Sequence, residues 1–131
     1  MKTKTIKQKV EFNAQPHDIY EMLMDSEKHS EFTGAEASIS RKVGGKITAY
    51  DGYIEGVNLI LEADKRIVQS WRASDWPEGH YSKATFELKK TKKGTELAFT
   101  QEGVPEEQYK ELSEGWHEHY WEKIKRIIQN G

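Results

Sequence analysis

The chain has 131 residues, of which 35% are hydrophobic and 32% are charged, and its formal net charge is −2. A chain of this length can bury one hydrophobic core, so we expect a single domain that spans residues 1–131. Because basic and acidic residues are interleaved and cysteine is absent, the composition excludes a broad nucleic-acid-binding surface, disulfides and thiolate metal sites.

A strand and two short helices are predicted first. Residues 6–12 alternate between mostly apolar and charged side chains, the pattern of a strand with one solvated face. Pro16 then suits the first turn of a helix, and a second short helix, Lys28–Phe32, is predicted to end at Gly34. Because the N-terminal residues are polar and no apolar stretch reaches membrane-spanning length, we expect a cytoplasmic protein without membrane insertion.

Six short strands separated by turn residues follow. Their predicted segments are Ala37–Ile39, Ile47–Tyr50, Tyr53–Glu62, Arg66–Ser74, Ala84–Leu88 and Leu97–Gln101. Asp51-Gly52 is the clearest hairpin turn of the series. Consecutive strands with short connections form an antiparallel meander.

The last segment, Glu106–Asn130, is predicted to be one long amphipathic helix. Its apolar residues recur at three- and four-residue spacing: Tyr109, Leu112, Trp116, Tyr120, Ile124, Ile127 and Ile128. Pro105 suits its start, and Asn130-Gly131 is the predicted stop. About 24 helical residues extend for about 36 Å, so this helix must cross a broad apolar surface.

The predicted fold is therefore α+β. A strongly curved antiparallel sheet of about six to seven strands wraps on the long C-terminal helix in a helix-grip arrangement. A short helical insert follows the first strand.

The motifs that carry a family resemblance are spread along the chain. They are Phe32-Thr33, Gly44-Gly45-Lys46, Asp51-Gly52, Gly56, Ile67-Val68, Trp71-Arg72, Ser74, Trp76-Pro77-Glu78-Gly79-His80, Thr95-Glu96-Leu97, Gly103-Val104-Pro105, Gly115-Trp116 and Tyr120. In this order and spacing they resemble the C-terminal domain of the activator of heat-shock-protein-90 ATPase, within the START-like (SRPBCC) superfamily. The likeness extends from about Val10 to Ile128, and the Trp-Pro-Glu-Gly-His loop with the later Gly-Trp pair is its most specific part.

This resemblance implies a helix-grip fold with a cavity between the sheet and the long helix. In the larger eukaryotic activators it also implies a co-chaperone role. We expect no counterpart here of their separate N-terminal domain, a main contact with the chaperone. The superfamily at large includes lipid binders and polyketide cyclases.

Eight aromatic residues are candidates for lining an apolar cavity: Phe32, Tyr53, Trp71, Trp76, Tyr81, Phe99, Trp116 and Tyr120. Two interpretations remain open, because the same rings would equally well fill a solid core. Gln69 and Gln101 lie on otherwise apolar strand faces and would be among the few polar groups inside. A buried amide needs a partner, which protein, water or ligand could supply.

No residue is assigned a catalytic role from the sequence. His80, after Gly79 in the Trp-Pro-Glu-Gly-His loop, is the best candidate for acid–base chemistry on a ligand, and the alternative is a loop histidine bonded to the backbone. His117 and His119 are two residues apart, which places them about 200° apart around a helix. We therefore expect no metal site and no cofactor.

A basic cluster at Lys89, Lys90, Lys92 and Lys93 is the candidate partner-binding surface. It could steer an acidic partner such as a chaperone, or serve only as a soluble hairpin tip.

Three functions are ranked on these grounds. The first is a co-chaperone-like or stress-related interaction protein that meets a chaperone of the heat-shock-protein-90 type. The second is a small hydrophobic-ligand binding or carrier protein. The third is a polyketide-cyclase-like enzyme. Because the enzyme ranks last, the sequence favours a protein without catalytic activity.

Overall fold

The computed structural model of the protein describes the backbone of residues 1–130 and the side chains of residues 1–129. Within that part of the chain there are seven strands: β1 Thr3–Phe12, β2 Ser38–Ile39, β3 Lys46–Ala49, β4 Ile54–Glu62, β5 Arg66–Ala73, β6 Ser82–Thr91 and β7 Gly94–Pro105. They form one open sheet in the order β1-β7-β6-β5-β4-β3-β2, and every neighbouring pair is antiparallel. The predicted meander is confirmed, and β1 joins it beside β7.

Two helices, α1 Pro16–Met24 and α2 Ser26–Thr33, form the predicted insert after β1. Pro16 occupies the first turn of α1, as the sequence predicts. The second helix begins two residues before the predicted Lys28, because the Asp25 carboxylate accepts a hydrogen bond from the Lys28 amide at 3.0 Å and caps it. It ends at Gly34, whose φ of 76° is the left-handed conformation of a helix C-cap.

The long C-terminal helix is present, but it is not a uniform α-helix. It comprises a 3₁₀ turn Glu106–Gln108, helix α3 Tyr109–Trp116, a π-helical segment His117–Trp121 and helix α4 Glu122–Asn130, together called the terminal helix below. The amide of Glu122 donates to the carbonyl of His117, five residues back, as a π turn requires. The predicted stop at Asn130-Gly131 falls partly outside the described residues, which end at 130.

The π turn changes which side chains of the terminal helix face the sheet. Trp121, which is not in the predicted stripe, is fully buried beside Tyr120. The prediction for Ile127 is wrong, because 37% of its surface is exposed. One extra residue in the turn rotates the following helix, so the buried face continues through Ile124 and Ile128.

The core lies between one face of the sheet, the terminal helix and α1. Its centre is an aromatic cluster in which the Trp116 ring lies 4.3 Å from Phe99 and 5.5 Å from Trp121, between centroids. The indole N–H groups of Trp116 and Trp121 each donate to a glutamine side chain on the sheet. Trp116 donates to Gln101 at 2.8 Å, and Trp121 donates to Gln8 at 2.7 Å. These bonds fix the terminal helix on β1 and β7 without an unpaired buried donor.

Candidate functional site

An apolar pocket of about 340 Å³ lies where the β3–β4 turn approaches the terminal helix. We call it the outer pocket. Its lining residues are Tyr50, Tyr53, Ile54, Trp71, Leu112, Gly115, Trp116, His119 and Tyr120. Among these described residues none is a carboxylate, a lysine or an arginine, so the pocket favours apolar groups.

Tyr50 forms the sheet side of the outer pocket. It opens the β3–β4 turn, in which Tyr50, Asp51 and Gly52 have φ values of 49°, 58° and 90°. Left-handed backbone costs a non-glycine residue about 1–2 kcal/mol, and here it is stabilised by two bonds between Asp51 and Glu36. The Tyr50 hydroxyl donates to the carbonyl of His119 at 2.8 Å, and burial raises the pKa of Tyr50 to about 12.

Gly115 and the π-helical segment form the helix side. A methyl group at Gly115 would have only His119 Cδ2 nearby, at 3.8 Å, and the glycine does not have positive φ. Glycine inside a helix costs about 1 kcal/mol relative to alanine. Neither crowding nor backbone conformation therefore requires glycine at position 115. The absence of a side chain there leaves space in the outer pocket.

A second, much smaller cavity lies deeper, between the sheet and the terminal helix. This inner void has a volume of about 20 Å³, enough for roughly one water molecule. It shares Ile54, Trp71, Trp116 and Tyr120 with the outer pocket, so these four side chains form the wall between them. In the described structure the interior is therefore nearly filled by aromatic and aliphatic side chains.

His29 and Tyr120 form a buried polar pair at the inner void. His29 Nδ1 lies 3.1 Å from the Leu23 carbonyl, which can only accept, so Nδ1 carries the proton. Nε2 is then the acceptor for the Tyr120 hydroxyl at 3.0 Å. Burial lowers the pKa of His29, the bond to Leu23 opposing this in part, and burial also raises the pKa of Tyr120. Both groups are neutral, as a site without a counter-charge requires.

The two predicted glutamines have protein partners. Gln69 lines the inner void and donates to Asn58 Oδ1 at 3.0 Å, and Asn58 in turn donates to the carbonyls of Ser40 and Lys42. Gln101 lies behind Trp116, accepts its indole N–H and donates to Ser82 Oγ at 2.9 Å. These amides stabilise the sheet and the aromatic cluster.

The Trp-Pro-Glu-Gly-His loop is held away from the outer pocket. His80 Nε2 donates to the Gly103 carbonyl at 2.7 Å, and Trp76 packs on Trp71 with ring centroids 5.4 Å apart. Arg72 donates to the carbonyl of Trp76 at 2.9 Å and closes the loop. His80 is thus bonded to backbone and is not among the residues that line the pocket.

The eleven predicted cavity residues separate into groups. Tyr53, Trp71, Trp116 and Tyr120 line the outer pocket. The others lie elsewhere: Gln69 at the inner void, Phe99 and Gln101 behind Trp116, Trp76 and His80 in the loop, Phe32 against His29, and Tyr81 exposed with its hydroxyl on Glu55.

Sequence reasoning missed several lining residues, chiefly Tyr50 and His119. Tyr50 precedes Asp51-Gly52 and looks like the end of a strand. On a regular helix the spacing of His117 and His119 bears on metal binding and indicates nothing about a pocket. The Gly-Trp pair at 115–116 was the available signal, since a glycine inside a strongly periodic helix usually has a packing or functional reason.

The predicted basic cluster lies at the end of the β6–β7 hairpin. Lys89, Lys90, Lys92 and Lys93 are exposed, and no ion pair within residues 1–129 uses their amino groups. Lys89 lies opposite Glu96 in the strand register, which reduces the local positive field. Ser82, at the other end of β6, pairs with Trp71 of the outer pocket, and Lys89 follows it by seven residues, about 23 Å along the strand, so the two sites are well separated.

The described residues contain no group of three or more His, Cys, Asp or Glu side chains placed to hold a metal ion. Nor does any helix in residues 1–130 combine the length and apolarity needed to span a membrane.

Comparison with known proteins supports the family resemblance. Residues 13–129 match the family model described as Activator of Hsp90 ATPase homolog 1-like protein. A Dictyostelium discoideum protein named activator of 90 kDa heat shock protein ATPase homolog is 34% identical over 127 residues, covering 96% of this chain and 33% of the relative. The human homolog 1 of that activator is 32% identical, covering 92% of this chain and 36% of its own length. The chain thus spans about a third of the length of these curated relatives.

Solved structures support the fold. The crystal structure of a heat-shock-protein-90 activator from Plasmodium falciparum has a TM-score of 0.86 at 23% identity, covering 97% of this chain and 96% of that one. The solution structure of the Aha1 dimer from Colwellia psychrerythraea has a TM-score of 0.81 at 19% identity, covering 95% and 96%. At these identities the likeness concerns the fold, and the predicted helix-grip arrangement is confirmed.

Proposed function

Because the chain belongs to the family of Activator of Hsp90 ATPase homolog 1-like proteins, we propose that it binds a chaperone of the 90 kDa heat-shock class. The observation that carries the proposal is the match along residues 13–129, which begins directly after β1 and includes both insert helices, strands β2–β7 and the terminal helix as far as residue 129. The named relatives are about three times as long, so binding and ATPase activation are separate questions for this chain.

The exposed lysines of the β6–β7 hairpin are the proposed contact. Four exposed cations near a strand end steer an acidic partner most strongly at low salt, where the Debye length is long. Rim charges of this kind mainly raise the association rate.

The test is a binding titration of the full chain against a purified chaperone of this class, with its ATPase rate measured in parallel. Replacing Lys89, Lys90, Lys92 and Lys93 by glutamine should slow association about tenfold at low salt, and added salt should reduce the difference. The matched control replaces four exposed lysines elsewhere: Lys2, Lys28, Lys42 and Lys110. It removes the same total charge.

An equal decrease of the association rate in both variants would show that the rate depends on the net charge of the chain and not on the hairpin lysines. No binding by the unmodified chain, at any salt concentration, would contradict the chaperone proposal itself. Binding without a change in ATPase rate would identify the chain as a chaperone-binding module that does not activate.

Binding of a small apolar ligand is the second candidate, and the outer pocket favours it. A volume of about 340 Å³ falls in the range of small-molecule sites, and the lining is almost entirely apolar. Native mass spectrometry of gently purified protein should reveal a defined additional mass that is lost on denaturation. A mass equal to that of the chain alone would count against a retained ligand.

A further inference from the structure

We propose that the ligand site is the outer pocket and not the inner void that lies deeper between the sheet and the terminal helix, and that its ligand is a flat, uncharged aromatic molecule of about two rings. The inference rests on the second candidate function, apolar ligand binding, and specifies its location and chemistry. It does not depend on chaperone binding.

Three departures from ordinary local structure meet at this pocket. Gly115 is a weak helix former where a larger residue would fit. The turn at Tyr50 and Asp51 has left-handed backbone at two non-glycine residues, and a π-helical segment, His117–Trp121, follows Gly115 after one residue. Each is unfavourable by itself, and such departures concentrate at functional sites.

These three features are also physically joined. The strained turn carries the Tyr50 hydroxyl, which donates to the His119 carbonyl inside the π-helical segment at 2.8 Å. The Tyr50 and His119 rings lie 5.9 Å apart, nearly perpendicular, at one side of the pocket. Gly115 lies one turn before His119 on the helix. The turn and the helix therefore hold the pocket open together.

Four polar side chains of the pocket lining are already engaged, whereas the Trp71 N–H and the His119 imidazole make no hydrogen bond within the described residues. All three tyrosine hydroxyls of the lining have partners: Tyr50 on His119, Tyr53 on Asp75 at 2.8 Å and Tyr120 on His29. The Trp116 N–H is directed to Gln101. The lining offers a charged ligand no carboxylate, lysine or arginine as an ion-pair partner, so the site favours uncharged molecules.

Size and shape favour two aromatic rings. The outer pocket is roughly twice the volume of an engineered cavity that holds benzene, whereas the inner void has room for about one water molecule. Trp71, Trp116 and the three tyrosines present ring faces and edges that suit offset or edge-to-face packing.

The test is an NMR titration of the isotope-labelled chain of 131 residues with 2-naphthol, followed by 2-naphthoate at a pH where the carboxylate is ionised. We expect saturable shifts for 2-naphthol at the amides of residues 50–54 and 112–120, and binding of 2-naphthoate at least tenfold weaker. Gly115→Leu should abolish the saturable shifts, and Gly115→Ala should weaken binding several-fold while raising the melting temperature. Glu114→Leu, an exposed neighbour on the same helix, is the matched control and should bind like the unmodified chain.

The outcomes separate the two ideas. Saturable binding whose shifts centre on the inner residues Leu23, Ala49 and Phe86, or which survives Gly115→Leu, would overturn the assignment to the outer pocket but leave ligand binding in place. Equal binding of 2-naphthoate would overturn the uncharged chemistry. No saturable shift with 2-naphthol anywhere in the chain would overturn the proposal. An additional mass in the native spectrum would then keep apolar ligand binding as a function.

Discussion

Replacing Trp116 by alanine removes a ring that forms part of the wall between the outer pocket and the inner void. The Trp116 side chain is 2% exposed, and its ring centroid lies 4.3 Å from that of Phe99 and 4.5 Å from that of Tyr120. Truncating a buried tryptophan to alanine costs about 3–5 kcal/mol. The Gln101 oxygen also loses its donor, a loss of about 1–3 kcal/mol if no water replaces it. Water can reach Gln101 from the opened pocket, so we expect a total of about 3–5 kcal/mol.

The assay is urea unfolding followed by far-ultraviolet circular dichroism, because tryptophan fluorescence changes with the substitution itself. An unchanged m value would show that both chains unfold from comparably compact states. The same loss should lower the melting temperature by about 10–20 °C. Tyr81→Ala is the control, since Tyr81 is 45% exposed and should lose less than about 1 kcal/mol. A loss for Trp116→Ala no larger than that of the control would refute the packed aromatic wall.

Three further predictions concern hydrogen-bonded polar side chains. Burial lowers the pKa of His29 below its unfolded value of 6.5, so the unfolded chain binds more protons and the free energy of unfolding should fall as pH drops below about 6.5. Urea titrations at pH 7.5 and 5.0 should show this fall, and His29→Gln should reduce its size; an unchanged difference would contradict it. Tyr50→Phe should cost about 1 kcal/mol by removing the bond to His119, and the exchange of nearby amide hydrogens should become faster; equal exchange would argue against this contact. Gln8→Leu should cost about 1–3 kcal/mol in the same unfolding assay, because the Trp121 N–H stays buried without an acceptor; a neutral result would mean that water replaces the amide.

The fold could be predicted because its signals are local. The alternation along residues 6–12 and the Asp51-Gly52 turn depend only on neighbouring residues, and both appear in the structure as β1 and the β3–β4 turn. Pro16 and Gly34 mark the limits of the helical insert for the same reason.

The site was less predictable because it depends on contacts between distant residues. The bond from Tyr50 to His119 joins residues 69 positions apart, and no pattern in either segment indicates it. The π turn shifts Trp121 into the core and turns Ile127 toward solvent, whereas a regular helical period places Ile127 inside. The aromatic candidates follow from residue type, and type alone does not distinguish Trp116 in the pocket wall from Phe99 behind it.

The pairing of β1 with β7 has a consequence for how the chain folds as it is synthesised. Thr3 lies opposite Pro105 and Phe12 opposite Thr95, so the first strand has no sheet partner until the last strand has been made. At ordinary rates of translation β1 therefore remains unpaired for roughly 5–20 s. During that time its apolar positions Ile6, Val10 and Phe12 are available to other chains, and the intervening charged residues keep the segment hydrated. β1 is therefore the strand that stays without a sheet partner for the longest part of synthesis.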